Sequence, residues 1–386
     1  MNSAERHELR YQRRKAKREQ RRFARSQSCG SFSEVFSYKN LYESGLKCCR
    51  NVNWKASTQV FRAQLVARAA DAQKKLGNGT WKSNGFRKFT INERGKTRHI
   101  SSVDIYERMI QKCLCDNILT DAFTSAFIYD NGASMKNKGM DFALDRVNCH
   151  LERHYRKYGN SGYVLLFDFT DYFNSAPHEP IYVELARRIQ DERICKLVGN
   201  LMENYGPVGM GLGSQLSQIE ALMIPNPLDH YIKEKLHIKG YGRYMDDAYA
   251  IHHSKEYLEY CLSEIEKKCS EIGIRLNRRK TRIVPLNKGF AFLKTKFILT
   301  ETGRVVRRAN KETGKRLRRK MKTYRKWYDE GKFTLKDAIQ SFNSSKGCLQ
   351  RCDSYRLLKR LKREFKRQFT LDIECGGEHY IYVPVL

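Results

Sequence analysis

The sequence predicts an α+β fold, an antiparallel sheet followed by basic helices, and three observations predict it. Residues 162–167 form a continuous apolar run behind a glycine, the pattern of a strand buried on both faces. Residues 239–252 hold two strand-like segments on either side of a turn, as in a hairpin. Basic residues crowd three stretches of helical spacing, at 311–330, 334–348 and 353–368.

The N-terminal part predicts helices and a second hairpin. Residues 1–28 are rich in Arg and almost free of apolar residues, which predicts a solvated helix or arm able to neutralise phosphates. Apolar residues then recur at helical spacing over 61–76 and 103–118. Between these helices, residues 86–100 alternate at period two around an Asn-Glu-Arg-Gly turn, so they predict a hairpin.

After the central hairpin the pattern continues as a helix and then as strands. Residues 257–272 predict an amphipathic helix that ends at Gly273. Strand-like segments resume at 283–286 and 290–299. In the basic C-terminal part, Thr334 with an aspartate three residues later predicts a capped helix start.

The composition favours nucleic acid as a partner. Lys and Arg outnumber Asp and Glu by 74 to 42, which gives a net charge of +32 and a surface that attracts polyanions. A basic membrane-surface or ribosome-associated protein stays an alternative. The sequence has neither a long apolar span nor a secretory signal, so we expect a cytoplasmic protein. Its 12 cysteines lack zinc-site spacing, and we expect reduced thiols and no zinc.

Three aspartates lie where the predicted strands end. Asp168 closes the buried strand, and Asp246 and Asp247 occupy the turn of the central hairpin. An Asp-Asp pair alone is common in turns. If the strand and the hairpin are neighbours in an antiparallel sheet, however, the three carboxylates meet at one edge. Hard oxygen ligands of this kind suit the two Mg²⁺ ions that nucleotidyl transfer requires.

Two motifs carry a resemblance to a known family. Residues 166–173, Leu-Phe-Asp-Phe-Thr-Asp-Tyr-Phe, and residues 244–247, Tyr-Met-Asp-Asp, resemble the catalytic palm motifs of reverse transcriptases. The resemblance covers about residues 86–300, and its pattern is similar to that of bacterial and phage enzymes from diversity-generating retroelements or defence systems. It implies a right-hand polymerase with fingers, an antiparallel-sheet palm and a helical thumb. Such an enzyme adds deoxynucleotides to a primer on an RNA template.

The resemblance also implies roles for individual residues around the metal ions. Asp168, Asp246 and Asp247 would bind two Mg²⁺ ions, for which Mn²⁺ could substitute, and the Phe169 carbonyl would add a ligand. Lys280 would act as a general acid toward the leaving pyrophosphate, although one more solvated lysine is an equal interpretation.

Further residues are implied at the nucleotide. Arg98, and secondarily Lys96, would hold the triphosphate, unless both are ordinary charges of an exposed hairpin. Phe173 follows Asp168 by five residues, where an aromatic ring would collide with a ribose 2′-hydroxyl. The alternative for Phe173 is plain core packing. Residues 131–134 resemble the segment that contacts the template.

One segment departs from the usual family pattern. Most reverse transcriptases have Gln-Gly followed by Ser-Pro where this chain has Leu212, Gly213 and, in place of the proline, Gln218. This substitution pattern is similar to that of mutagenic enzymes of diversity-generating retroelements. Because leucine forms no hydrogen bond with a nucleotide or template, base selection would rest more on shape. We therefore expect low fidelity.

The expected organisation follows from the motifs. It comprises a basic N-terminal arm (1–28), fingers and palm (29–300), a basic helical thumb (301–368) and a C-terminal tail (369–386). Expected partners are an RNA template that is a dedicated structured RNA, a DNA primer and product, dNTPs and an accessory protein, without a membrane. Two other functions stay open: a non-catalytic nucleic-acid-binding palm protein, and untemplated or protein-primed DNA synthesis.

Overall fold

The computed structural model describes residues 2–28, 30–93 and 96–374. The helices are α1 (Ser3–Ser28), α2 (Phe32–Val35), α3 (Tyr38–Cys49), α4 (Ala56–Ala63), α5 (Leu65–Gly77), α6 (Ile105–Leu114), α7 (Thr120–Thr124), α8 (Met140–Tyr158), α9 (Tyr172–Ser175), α10 (Glu179–Ala186), α11 (Glu192–Glu203), α12 (Gln215–Met223), α13 (Asn226–Glu234), α14 (Lys255–Glu271), α15 (Lys311–Asp329), α16 (Leu335–Gln350) and α17 (Tyr355–Glu374). The strands are β1 (Arg87–Glu93), β2 (Lys96–Ser102), β3 (Tyr163–Phe167), β4 (Gly240–Tyr244), β5 (Asp247–His252), β6 (Arg282–Pro285), β7 (Phe290–Phe292), β8 (Thr295–Leu299) and β9 (Val305–Ala309).

A four-stranded antiparallel sheet of order β4-β5-β3-β6 forms the centre of the molecule. Strand β3, one of its two inner strands, is apolar because it is covered on both faces. Leu165 and Phe167 belong to the larger hydrophobic core, together with side chains of α6, α12 and α14. Val164 and Leu166 belong to a second core, formed with α8 and with β7 and β8. The predicted buried strand and central hairpin are therefore confirmed.

Two predicted elements differ from the structure. The helix expected over 61–76 is interrupted at Gln64, whose N–H is shared between the carbonyls of Val60 and Phe61, as is common at a helix end. The strand expected over 290–299 is a hairpin of β7 and β8. Its turn residues Leu293 and Lys294 have φ values of +46° and +66°, which reverse the chain.

The C-terminal helices α15, α16 and α17 pack around a hydrophobic core of their own. Its members include Leu317, Phe342 and Phe365, all at most 2% exposed. The predicted capping box starts α16, since the Thr334 and Asp337 side chains each bond to the other's backbone N–H. The last helix continues to residue 374, past the expected end of the thumb, and the tail residues 375–386 lie outside the described part of the chain. Among the described helices, none is both long and apolar enough to cross a bilayer.

Candidate active site

The register of the central sheet places the three aspartates at one end of it. Phe167 of β3 pairs with Ala248 of β5, and Asp168 is the next residue along the chain. The connection between β4 and β5 is only two residues long and contains Asp246, with Asp247 as the first residue of β5. The expected convergence is visible in the electrostatics, because the negative charge of Asp168 raises the pKa of Asp246.

Lys280 joins the three carboxylates through a short stretch of backbone pairing. The backbone just after β3 pairs with the stretch just before Lys280. In this pairing the Asn277 N–H donates a hydrogen bond to the Asp168 carbonyl at 2.8 Å. A turn that starts at Asn277 then brings the Lys280 Nζ to the Asp168 carboxylate, to which it donates a hydrogen bond. Burial alone would lower the pKa of Lys280, but the bond to Asp168 and the charges of Asp247 and Asp246 raise it overall.

Burial makes negative charge on Asp168 and Asp246 unfavourable unless a positive charge lies nearby. Asp168 is 2% exposed, and its Oδ1 atom has no hydrogen-bond partner. Burial raises the pKa of Asp246, Asp168 raises it further, and the positive charge of Lys280 partly offsets both effects. Positive charge is therefore what the site lacks.

The donor atoms fit a hard divalent cation, although the described residues contain no group of three or more His, Cys, Asp or Glu side chains arranged as a ready metal site. Carboxylate oxygens are the ligands that Mg²⁺ prefers. The Asp168 Oδ1 is available to a cation, and Lys280 occupies Oδ2. Phe169, the residue after Asp168, forms an isolated β-bridge with Leu276. The hydrogen bonds of this bridge are made by the residues on either side of Phe169, and none of them uses the Phe169 carbonyl.

A cavity of about 440 Å³ lies between the hairpin β1–β2 and the segment that precedes α12. We call it the hairpin cavity. Two sequence-predicted residues, Phe173 and Leu212, both line it. Lys88, His99 and Tyr205 line it as well, and sequence reasoning did not single them out. Lys88 and His99 belong to the predicted hairpin 86–100, and Tyr205 lies shortly before residues 209–213, the glycine-rich segment that contains Leu212 and Gly213.

Backbone hydrogen bonds hold this glycine-rich segment against both walls of the hairpin cavity. Met210 N–H donates to the Phe173 carbonyl at 2.6 Å, and Ser101 N–H of β2 donates to the Leu212 carbonyl at 3.1 Å. Gly213 has a φ of +124°, a conformation that L side chains rarely adopt. Leu212 is thereby fixed between the hairpin and Phe173.

A second cavity, of about 530 Å³, is lined by Gly213 and Gln218 but not by Leu212. The structure thus separates three residues that the sequence placed in one segment. Ser134 also lines this second cavity and donates a hydrogen bond to Gln218 Oε1 at 3.1 Å. Three basic residues complete the wall: Lys47, Arg108 and Lys112.

The two residues predicted to hold the triphosphate lie on β2. Arg98 pairs with Ile91 and is exposed, and it is not among the residues that line the hairpin cavity. Lys96 pairs with Glu93 at the start of the strand, and its side chain lies outside the described part of the structure. The roles of both residues stay predictions.

Comparison with known proteins decides the family. A model described as reverse transcriptase (RNA-dependent DNA polymerase) matches residues 82–297, more than half of the chain. The chain belongs to the reverse transcriptase family. This reverse transcriptase has the right-hand polymerase fold of its family, as the sequence predicted. No curated protein matches it.

Solved structures of telomerase are also similar to this reverse transcriptase. Telomerase from Candida albicans, in complex with a fragment of telomeric RNA, is 14% identical with a TM-score of 0.49. Apo telomerase from Candida tropicalis is 11% identical with a TM-score of 0.47. Both matches cover 76% of this chain but only 55% and 62% of the telomerase chains. The assignment rests on the family match.

Proposed function

We propose that the reverse transcriptase extends a DNA primer by metal-dependent nucleotidyl transfer at Asp168, Asp246 and Asp247. The observation that carries this proposal is the convergence of three buried or half-buried carboxylates and Lys280 at one end of the central sheet. When bound, two Mg²⁺ ions supply Lewis-acid activation of the attacking hydroxyl and stabilise charge on the triphosphate. Mn²⁺, a similar hard cation, is expected to substitute.

The chain's own residues hold and balance charge in this reaction. Asp168, Asp246 and Asp247 would provide the metal ligands, and we propose that the Phe169 carbonyl would add one. Lys280 carries a proton at neutral pH, as lysine side chains ordinarily do, and the carboxylates around it raise its pKa further. We propose that its Nζ donates this proton to the leaving pyrophosphate. A cation would bind at the Asp168 Oδ1 while Lys280 stays bonded to Oδ2 of the same carboxylate.

The hairpin cavity is proposed as the site of the incoming nucleotide. Phe173 lines it beside Leu212. We propose that its aromatic ring excludes a ribose 2′-hydroxyl. Lys88 and His99 bring positive charge or hydrogen-bond donors to the same cavity. Arg98 lies on the same hairpin, and we propose that it holds the triphosphate when the hairpin approaches the sheet.

The second cavity is proposed to receive the RNA template. Its lysine and arginine side chains suit a phosphate backbone, and the bonded pair of Ser134 and Gln218 borders the glycine-rich segment. In this arrangement the hairpin β1–β2 belongs to the fingers, the central sheet is the palm, and α15 to α17 form the thumb. The basic helix α1 adds a further surface for RNA.

We further propose that the enzyme is a low-fidelity reverse transcriptase of a retroelement of the diversity-generating type or of a phage-defence system. The supporting observation is that Leu212, an aliphatic residue, lines the same cavity as Phe173. An aliphatic contact discriminates bases by shape alone. Leu212→Gln should lower the error rate on a defined RNA template, measured by sequencing the product. An unchanged error rate would remove this support.

Primer extension tests the proposed chemistry. The double variant Asp246→Asn and Asp247→Asn should lose at least about 10³-fold in the rate of dNTP addition, because carboxylate ligands become neutral amides. Binding of the RNA–DNA duplex should stay within a few-fold of wild type. Asp171→Asn is the matched control, an exposed aspartate next to the site. Retained synthesis in the double variant, or synthesis that needs no added RNA, would contradict the proposal.

A further inference from the structure

Arg243 is buried beneath the turn that carries the two adjacent aspartates. It lies on β4, three residues before Asp246, and is 1% exposed. Its guanidinium forms a two-pronged pair with Asp229 of α13, through Nε at 2.8 Å and Nη2 at 2.6 Å. Neither side chain of this pair is exposed to solvent. Such a pair costs desolvation, and its net contribution to stability is small compared with its effect on geometry.

The same guanidinium reaches the turn itself. Its Nη1 donates to the Met245 carbonyl at 2.9 Å. Met245 has a φ of +54°, a conformation that a residue with a side chain seldom adopts. The carbonyl of Met245 belongs to the same rigid peptide plane as the N–H of Asp246. A hydrogen bond on that carbonyl therefore fixes the orientation from which the Asp246 side chain projects.

A third contact links Arg243 to the helix next to the proposed nucleotide site. Nη2 also donates to the Leu222 carbonyl at 3.3 Å, near the C-terminal end of α12. The beginning of α12 follows the segment that contains Leu212 and Gly213. A single planar side chain thus joins α12, α13 and the aspartate turn. Arginine can do this because its donors form a fixed fork, whereas lysine presents one flexible ammonium group.

We propose that Arg243 is a positioning residue for the metal ligands, which holds the Met245–Asp246 peptide in the orientation needed for cation binding. The inference rests on the proposed role of Asp246 and Asp247. Asp229 holds the guanidinium of Arg243 in place, and the guanidinium in turn holds the Met245 carbonyl in the turn. Replacing the guanidinium would therefore leave Asp246 and Asp247 present but less firmly oriented.

Binding of Mn²⁺ alone, followed by electron paramagnetic resonance of the free ion, tests the proposal without catalysis. Arg243→Lys should weaken Mn²⁺ affinity by about 10-fold or more, the usual effect of losing a partner that orients a ligand. The Mg²⁺ concentration that gives half-maximal primer extension should rise in parallel. If Arg243→Lys fails to fold, Asp229→Asn tests the same contact by removing the anchor.

The matched control is Arg188→Lys. Arg188 also forms a two-pronged pair, with Glu184 of α10, and both side chains are largely buried. It should lower the melting temperature while Mn²⁺ affinity stays within twofold of wild type. Equal weakening by Arg188→Lys and Arg243→Lys, or no weakening by the latter, would overturn the positioning role. If Asp246→Asn binds Mn²⁺ like the wild type, the proposed metal site itself fails, which is a separate outcome.

Discussion

Glu220 gives the fold a pH dependence that can be measured directly. It lies on α12, is 1% exposed, and neither of its carboxylate oxygens has a hydrogen-bond partner. Burial raises the pKa of Glu220 to about 8, from 4.5 for an exposed glutamate. Cys115, Tyr172 and Tyr205 surround it closely enough for its charge to raise their pKa values. The folded chain therefore keeps this carboxyl protonated at neutral pH.

The sign of the effect follows from the raised pKa. In the unfolded chain Glu220 loses its proton near pH 4.5, whereas the folded chain holds it until about pH 8. Stability is greatest below the lower value, falls as the pH rises between the two, and stays reduced above the higher one. At about 1.4 kcal/mol per pKa unit, the total loss is roughly 5 kcal/mol, of which about 4 kcal/mol falls between pH 5 and pH 9.

Urea unfolding of the wild type and of Glu220→Gln at pH 5 and pH 9 measures this loss. Glutamine is neutral at both values, so the variant should gain about 4 kcal/mol relative to wild type on going from pH 5 to pH 9. Glu192→Gln is the control, because Glu192 is an exposed glutamate. It should show no such change between the two pH values. A difference between Glu220→Gln and wild type that stays constant within about 1 kcal/mol would refute the reasoning.

Three further outcomes are expected. Phe173→Ala should raise the ratio of ribonucleotide to deoxynucleotide incorporation by about 10-fold or more in single-nucleotide extension, and an unchanged ratio would contradict a role at the sugar. Lys280→Met should slow single-turnover addition by about 10²-fold, since the proton donor beside Asp168 is lost; rates equal to wild type would exclude that role. Gly242→Ala should cost about 1–3 kcal/mol in thermal unfolding, because its Cβ would lie 2.7 Å from the Tyr249 hydroxyl.

Local patterns in the sequence were sufficient for the elements that carry the aspartates. The apolar run before Asp168 and the alternation around Asp246 encode β3 and the hairpin β4–β5 through short-range periodicity. The capping box at Thr334 is likewise a local signal. Where the chain reverses without Gly or Pro, as at Leu293 and Lys294, periodicity alone predicted one continuous strand.

Tertiary packing decided what the sequence did not reveal. The separation of Leu212 from Gln218 into two cavities depends on how β2 bonds to the glycine-rich segment. The burial of Arg243 depends on the docking of α13, which brings Asp229 to it. Glu220 looks like an ordinary polar residue of an amphipathic helix until the surrounding helices exclude water from it. None of these contacts produces a periodic pattern in the sequence that could have predicted it.

Side chains of β3 pack into two hydrophobic cores, one on each face of the sheet. The position of Asp168 at the end of β3 therefore depends on the packing of both cores. We expect a slight repacking on either side to tilt the strand and displace the carboxylate, even where the chain still folds. Drift in one core must then be matched by drift in the other for the enzyme to stay active. We expect the evolutionary tolerance of these two sets of apolar residues to be linked across the sheet.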